Sequence, residues 1–124
     1  MEVIGLGTDI VEISRVERLW AQYGERFLKR VFDYEEVKYA LKKKKTCVHL
    51  ASAFSVKESF FKATGGYYPF IWKEVILKRD HRGKPYVKLK GRAQEKFFEI
   101  GAKKIFVSIS HEKNHVISVV LLTG

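Results

Sequence analysis

The sequence predicts an α+β fold in which helices pack on a mostly antiparallel sheet, and three observations carry that expectation. Apolar residues recur with a period near 3.6 through residues 14–64. The period changes to 2 over 71–90 and again over 104–122, after one short helical stretch. The resulting order of strand, helices, hairpin, helix and hairpin lacks the regular alternation of a doubly wound fold. With 124 residues, 46% of them hydrophobic and 31% charged, the chain reads as a single domain spanning 1–124. It is too apolar to be disordered and too interrupted by Lys and Arg to cross a membrane.

Each element has its own signal. Val3, Ile4 and Leu6 around Gly5 and Gly7 predict a strand within 2–13 that ends near Thr8-Asp9-Ile10. Ser14 with Glu17 has capping-box spacing, and Ile13, Val16 and Trp20 share a stripe, so a helix is expected over 14–22, stopped by Gly24. Arg15 and Arg18 occupy another face of it. A shorter helix is expected over 25–31, and Asp33 with Glu36 repeats the capping signal for a helix over 34–44 that ends in Lys42 to Lys45. A longer helix over 48–64 stops at Gly65-Gly66. Strands over 71–79 and 85–90 flank the turn Asp80-His81-Arg82-Gly83-Lys84. Ala93, Phe97 and Ile100 mark a helix over 92–100, and 104–110 with 115–122 forms the last hairpin.

Twenty-four Lys and Arg against 14 Asp and Glu give a net charge of +10, so the expected partners are anionic. The one cysteine, Cys47, excludes an internal disulfide, and no apolar signal region follows Met1, which makes the cytoplasm the expected compartment. The four histidines and one cysteine show no zinc spacing. No nucleophile triad is evident.

Three segments have chemical content. Gly5-Leu6-Gly7-Thr8-Asp9-Ile10 departs from a dinucleotide fingerprint because Ile10 stands where the third glycine belongs. Asp9 is then either a turn-former or a carboxylate held by a strand end toward a metal or phosphate. On the 48–64 helix, Lys57 falls in the middle of the apolar arc of Leu50, Ala53, Phe54, Val56, Phe60 and Phe61. An ammonium there must lose its charge, snorkel out or meet an anion. Glu58 and Lys62 lie at the arc's edge with the i, i+4 spacing of a surface ion pair. In Ser108-Ile109-Ser110-His111, alternation puts the serines on one strand face and His111 with Val107 and Ile109 on the other. Such a strand end can bind phosphate or be a polar face with a turn histidine. Arg15, Arg18, Arg26, Lys29 and Arg30, interleaved with Leu19, Trp20, Phe27 and Leu28, suit docking to an acidic, partly apolar helix, or form a solvated face.

Gly5 to Ile13, then Phe54-Ser55-Val56-Lys57-Glu58-Ser59-Phe60-Phe61-Lys62-Ala63, then Ser108 to His111, with Arg82-Gly83-Lys84-Pro85 before the last, resemble the ordered motifs of holo-acyl-carrier-protein synthases. The resemblance covers nearly the whole chain. It implies a compact phosphopantetheinyl transferase fold, commonly a homotrimer with active sites between subunits. It also implies transfer of 4′-phosphopantetheine from coenzyme A to a serine of apo-acyl carrier protein, with magnesium, releasing adenosine 3′,5′-bisphosphate. Carried over to this chain, Asp9 and Glu58 are the implied metal ligands, and Asp9, Glu58 and Lys62 the catalytic set, with Glu58 itself or a metal-held water beside it the candidate base. Lys57, Gly83, Lys84, Pro85, Ser110 and His111 are the implied coenzyme A contacts, with Lys57 facing a phosphate or a buried carboxylate. Arg15 and Arg18 are the implied carrier-protein contacts. Many members carry arginine where this chain has Ala53, so a phosphate or subunit contact made by that arginine is absent or supplied elsewhere. Charge and 14% aromatic residues also suit a nucleic-acid-binding module, and paired acids suit a magnesium-dependent phosphohydrolase. Asp9 and Glu58 weigh against nucleic acid, which they would repel.

Overall fold

In the computed structural model, which describes residues 1–124, strand β1 (Val3–Glu12) runs without a break into helix α1 (Ile13–Tyr23). Gly24, at φ +55°, turns the chain into α2 (Glu25–Val31), and α3 (Tyr34–Leu41) and the long α4 (Thr46–Ala63) follow. A 3₁₀ turn at Trp72–Glu74 leads into the ribbon of β2 (Val75–Arg79) and β3 (Pro85–Leu89). Helix α5 (Gly91–Glu99), β4 (Lys104–His111) and β5 (His115–Thr123) complete the chain. The strands form an antiparallel sheet in the order β1-β5-β4 and the separate antiparallel pair β2-β3, with β3 alongside β4. The architecture is the expected α+β type. No helix is long and apolar enough to cross a membrane.

Helix α4 is central: it is buried nearly all round, packing on β1 and β5 and against α1, α3 and β2. Its contact with β1 explains the two glycines. A Cβ at Gly7 would lie 1.9 Å from the Ser59 carbonyl oxygen, and one at Gly5 1.8 Å from that of Ala63. The glycines let strand and helix backbones touch. Val11, Val16, Leu50, Phe60, Val75, Val116 and Val120 join in one core cluster.

Four local expectations change, the first being that β1 continues past Asp9 to Glu12 instead of ending near it. The Ser14 capping box is absent, because the helix already begins at Ile13, whose N–H is taken by the Asn114 carbonyl of the β4–β5 turn. The Asp33 box does form, with Asp33 and Glu36 each accepting from the other's end of the helical turn. Helix α3 stops at Leu41, leaving Lys42 to Lys45 in the connection to α4. Strand β2 starts only at Val75, since the preceding residues form the 3₁₀ turn.

Candidate active site

Asp9 lies on the helix-facing side of β1, opposite Ser118 of β5 in register. Beneath it, Ser118 Oγ is 2.7 Å from both Ser55 Oγ and Ser59 Oγ, and Ser55 Oγ donates to the Asp9 carbonyl at 3.3 Å. These buried hydroxyls fix this part of β1 against α4, so the Asp9 carboxylate is held by rigid elements. Ser118 was invisible as a site residue in the sequence because it lies in an apolar strand far from the motifs.

Lys62 does not pair with Glu58. Its ammonium is 3.3 Å from Asp9 Oδ1 and donates to the Thr8 carbonyl at 3.1 Å, so the expected intrahelical ion pair is replaced by a bridge from α4 to β1. Glu58 stands beside this pair. Burial, and then the charge of Asp9, push its carboxyl above the usual range, opposed by Lys62 and Arg15. The structure thus brings together Asp9, Glu58, Lys62 and Arg15: two carboxylates close enough to repel, flanked by two cations.

The donor set discriminates among metals. No His, Cys or third acid joins the two carboxylates in a ligand cluster, so a zinc site with three or four protein ligands does not fit. A hard divalent cation that takes one or two carboxylates and completes its shell with water and phosphate oxygens does. It would also offset the burial and the Asp9 charge that raise Glu58.

Lys57 has the opposite fate. Its side chain is 0% exposed and its ammonium lies 2.7 Å from Glu36 Oε1, with a second bond to the Val75 carbonyl. The anion it meets is therefore a buried carboxylate and not a phosphate, and it offers no atom to coenzyme A. Burial presses the Lys57 ammonium toward a lower proton affinity, and Glu36 opposes that. Glu36 also accepts the N–H groups of Asp33 and Leu77. The sequence showed Glu36 only as half of a capping box.

The remaining expected ligands lie elsewhere in the chain. Gly83, Lys84 and Pro85 sit at the β2–β3 turn, where Gly83 has φ +84° and Asp80 Oδ1 accepts from the N–H groups of Arg82 and Lys84. Ser110 and His111 end β4, across β5 from β1. Ser110 belongs to the outer sheet face and His111 to the side that carries α4, where it is close enough to disfavour protonation of His49. Glu58 and His49, nine positions apart, lie about 180° apart around α4 at 100° per residue. One chain therefore carries the acids at its β1 edge and the basic strand end at its β4 edge.

Next to Arg15, whose guanidinium lies 5.4 Å from the centre of the Phe54 ring, runs a groove of about 450 Å³ lined by Arg15, Tyr23, Arg26, Arg30, Phe54 and Trp72. Arg18 is not part of it. Its guanidinium is instead 3.4 Å from the Ser14 hydroxyl.

Comparison with known proteins adds the following. The family model described as the 4′-phosphopantetheinyl transferase superfamily matches residues 5–120. The chain is 40% identical over 118 residues to holo-[acyl-carrier-protein] synthase of Halothermothrix orenii, covering 94% of each protein. Its fold is similar to the crystal structure of the Neisseria meningitidis holo-[acyl-carrier-protein] synthase, with TM-score 0.88, 30% identity, and coverage of 98% of this chain and 99% of that one. It is also similar to the Helicobacter pylori synthase in complex with coenzyme A, with TM-score 0.83, 26% identity, and coverage of 95% and 99%.

Proposed function

The chain belongs to the 4′-phosphopantetheinyl transferase superfamily, and on that premise we propose that it moves 4′-phosphopantetheine from coenzyme A to a serine of apo-acyl carrier protein in the cytoplasm. The observation that carries this reading is the grouping of Asp9, Glu58 and Lys62 where β1 meets α4.

In the reaction, the carrier serine oxygen bonds to the phosphorus that bears pantetheine, and the bond from that phosphorus to the bridging diphosphate oxygen breaks. Adenosine 3′,5′-bisphosphate leaves with the bridging electron pair. Glu58 accepts the serine proton, directly or through a water beside it. Lys62, half exposed and tethered to Asp9, places its ammonium beside the phosphoryl oxygens that gain charge. Asp9 and Glu58 would hold a magnesium ion, which supplies charge neutralisation at the diphosphate. The carrier docks on the groove of Arg15, Arg26 and Arg30, where guanidinium groups meet its acids and Phe54 and Trp72 meet its apolar side. Arg18, one turn from Arg15, adds to the same positive field.

Completion of the site requires a second copy. Ser110, His111 and the Gly83-Lys84-Pro85 turn belong to the edge opposite Asp9, so they reach coenzyme A only if one chain's β4 edge meets another's β1 edge. Such a head-to-tail contact closes into a ring, which we take to be a homotrimer. The outer sheet face supports it: Leu6 and Ile10 are 63% and 64% exposed, beside exposed Phe106, Ile117 and Val119.

The test is the intact mass of an apo-acyl carrier protein incubated with this protein, coenzyme A and magnesium. The reading expects a gain of one phosphopantetheine on the carrier, absent when coenzyme A is omitted. An unchanged mass with folded protein would refute it.

A further inference from the structure

The charges of the candidate centre cancel among its own side chains. Asp9 and Glu58 carry two negative charges, and Lys62 and Arg15, the cations that act on Glu58, carry two positive ones. Their pairing is uneven. Lys62 and Glu58 stand four positions apart on α4, where side chains are neighbours, yet the Lys62 ammonium crosses to β1 and lies 3.3 Å from Asp9 Oδ1. It also donates to the Thr8 carbonyl at 3.1 Å, so two oxygens of the strand hold it. Asp9 has no other ion-pair partner, and Glu58 has none.

Exposure separates the two partners. The Asp9 side chain is 13% exposed and the Lys62 side chain 53%. A hard cation reaching for so covered a carboxylate meets an ammonium already on one of its two oxygens. Lys62, in contrast, has a half-exposed four-carbon stem that can swing its charge away, and a pair of this exposure is held weakly. If the ammonium stayed on Asp9, it would repel the cation at contact distance. A divalent cation between Asp9 and Glu58 also brings two positive charges into a centre whose charges already cancel. That surplus favours an anion carrying two negative charges, which the diphosphate of coenzyme A supplies.

We propose that Lys62 is an exchangeable occupant of the Asp9 carboxylate: it yields Asp9 to a divalent cation and turns its charge to the diphosphate of coenzyme A. Cation and coenzyme A then bind cooperatively, each strengthening the other by the same factor. The proposal deepens the transferase reading and rests on it for the identity of the anion.

The experiment reads binding only. Mg²⁺ is first titrated into the parent while the NMR signal of the Lys62 ammonium is followed, and a saturable shift is expected that Asp9→Asn abolishes. Mn²⁺ affinity is then measured from the electron paramagnetic resonance of the free ion, with and without coenzyme A and corrected for Mn²⁺ taken by coenzyme A itself. Without coenzyme A, Lys62→Met should bind Mn²⁺ about tenfold more tightly than the parent, because Asp9 no longer has to be vacated. Arg15→Gln removes an equal charge but leaves Lys62 on Asp9, so its gain should be clearly smaller. Coenzyme A should tighten Mn²⁺ binding by the parent about tenfold or more, and by much less in Lys62→Met. An unmoved Lys62 signal, a Mn²⁺ affinity of Lys62→Met no greater than that of Arg15→Gln, or a coenzyme A effect that is absent from the parent or unchanged in Lys62→Met overturns the proposal. A carrier protein that gains no mass while these couplings hold faults the transferase reading and leaves the exchange standing. A carrier that gains mass while they fail does the reverse.

Discussion

Lys57→Met tests the assignment of Lys57 to the core, where its side chain and that of Glu36 are 0% and 1% exposed. Methionine keeps most of the length and volume but leaves the Glu36 carboxylate without its cation. Breaking a buried pair from one side costs about 3–5 kcal/mol. Glu36 keeps two backbone N–H bonds, at 2.9 Å from Asp33 and 2.8 Å from Leu77, so the lower end of that range, about 3 kcal/mol, is expected. For a chain of 124 residues this corresponds to a fall in Tm of roughly 10–15 °C. Adding Glu36→Gln should restore about 1–2 kcal/mol, because no buried charge then remains. Lowering the pH should shrink the single variant's deficit. A lone buried carboxyl has its pKa raised in the folded state, so the folded protein takes up a proton before the unfolded chain does. Urea unfolding with an unchanged m value measures the loss, and calorimetry with coenzyme A should give parental affinity in the folded variant. A variant as stable as the parent, or a folded variant that no longer binds coenzyme A, would refute the structural role.

Three further outcomes are expected. Asp9→Ala and Glu58→Ala should each lower transfer by at least about a hundredfold while circular dichroism stays parental, since each removes a site group and not a core side chain; a parental rate in either would show that the pair is not the reacting centre. Gly7→Ala should cost about 3 kcal/mol or prevent folding, because its Cβ would meet the Ser59 and Ala63 backbone at 1.9 and 2.7 Å, whereas Gly101→Ala, at φ +84° with open space, should cost about 1–2 kcal/mol. Thermal melts of the two variants check that order. Arg26→Glu with Arg30→Glu, both lining the groove and neither part of the reacting centre, should raise KM for the carrier protein about tenfold or more and leave coenzyme A affinity unchanged, as read by separate titrations.

Much of this was legible in the sequence, and what was hidden has definite physical causes. Periodicity located every helix and strand, because each turns apolar residues toward the common core. The Asp33 cap was readable since it is local; the Ser14 cap failed because a distant carbonyl, that of Asn114, satisfies the start of α1 instead. The misplaced charge of Lys57 was visible, but its partner lies 21 positions away on another helix. Lys62 was read with its helical neighbour Glu58, whereas the strand brings Asp9 closer. Among the large aromatics, Phe60, Tyr67 and Phe97 are buried and Phe61, Phe70 and Trp72 pack on the core, while Tyr68 and Phe98 stay exposed. Apart from Phe106, the apolar sheet face is aliphatic.

The central claim is that Asp9, Glu58 and Lys62 form one half of a transferase centre that the β4 edge of another copy completes. The direct measurement uses Asp9→Ala and His111→Ala chains, each alone and then co-expressed, with the intact mass of apo-acyl carrier protein as the readout. Each variant alone should leave the carrier unmodified. Because every site draws one edge from each of two chains, about a quarter of the sites in an equal mixture combine two intact edges, and that fraction of the parent rate is expected. A mixture as inactive as its components, or full activity in either variant alone, would contradict the account.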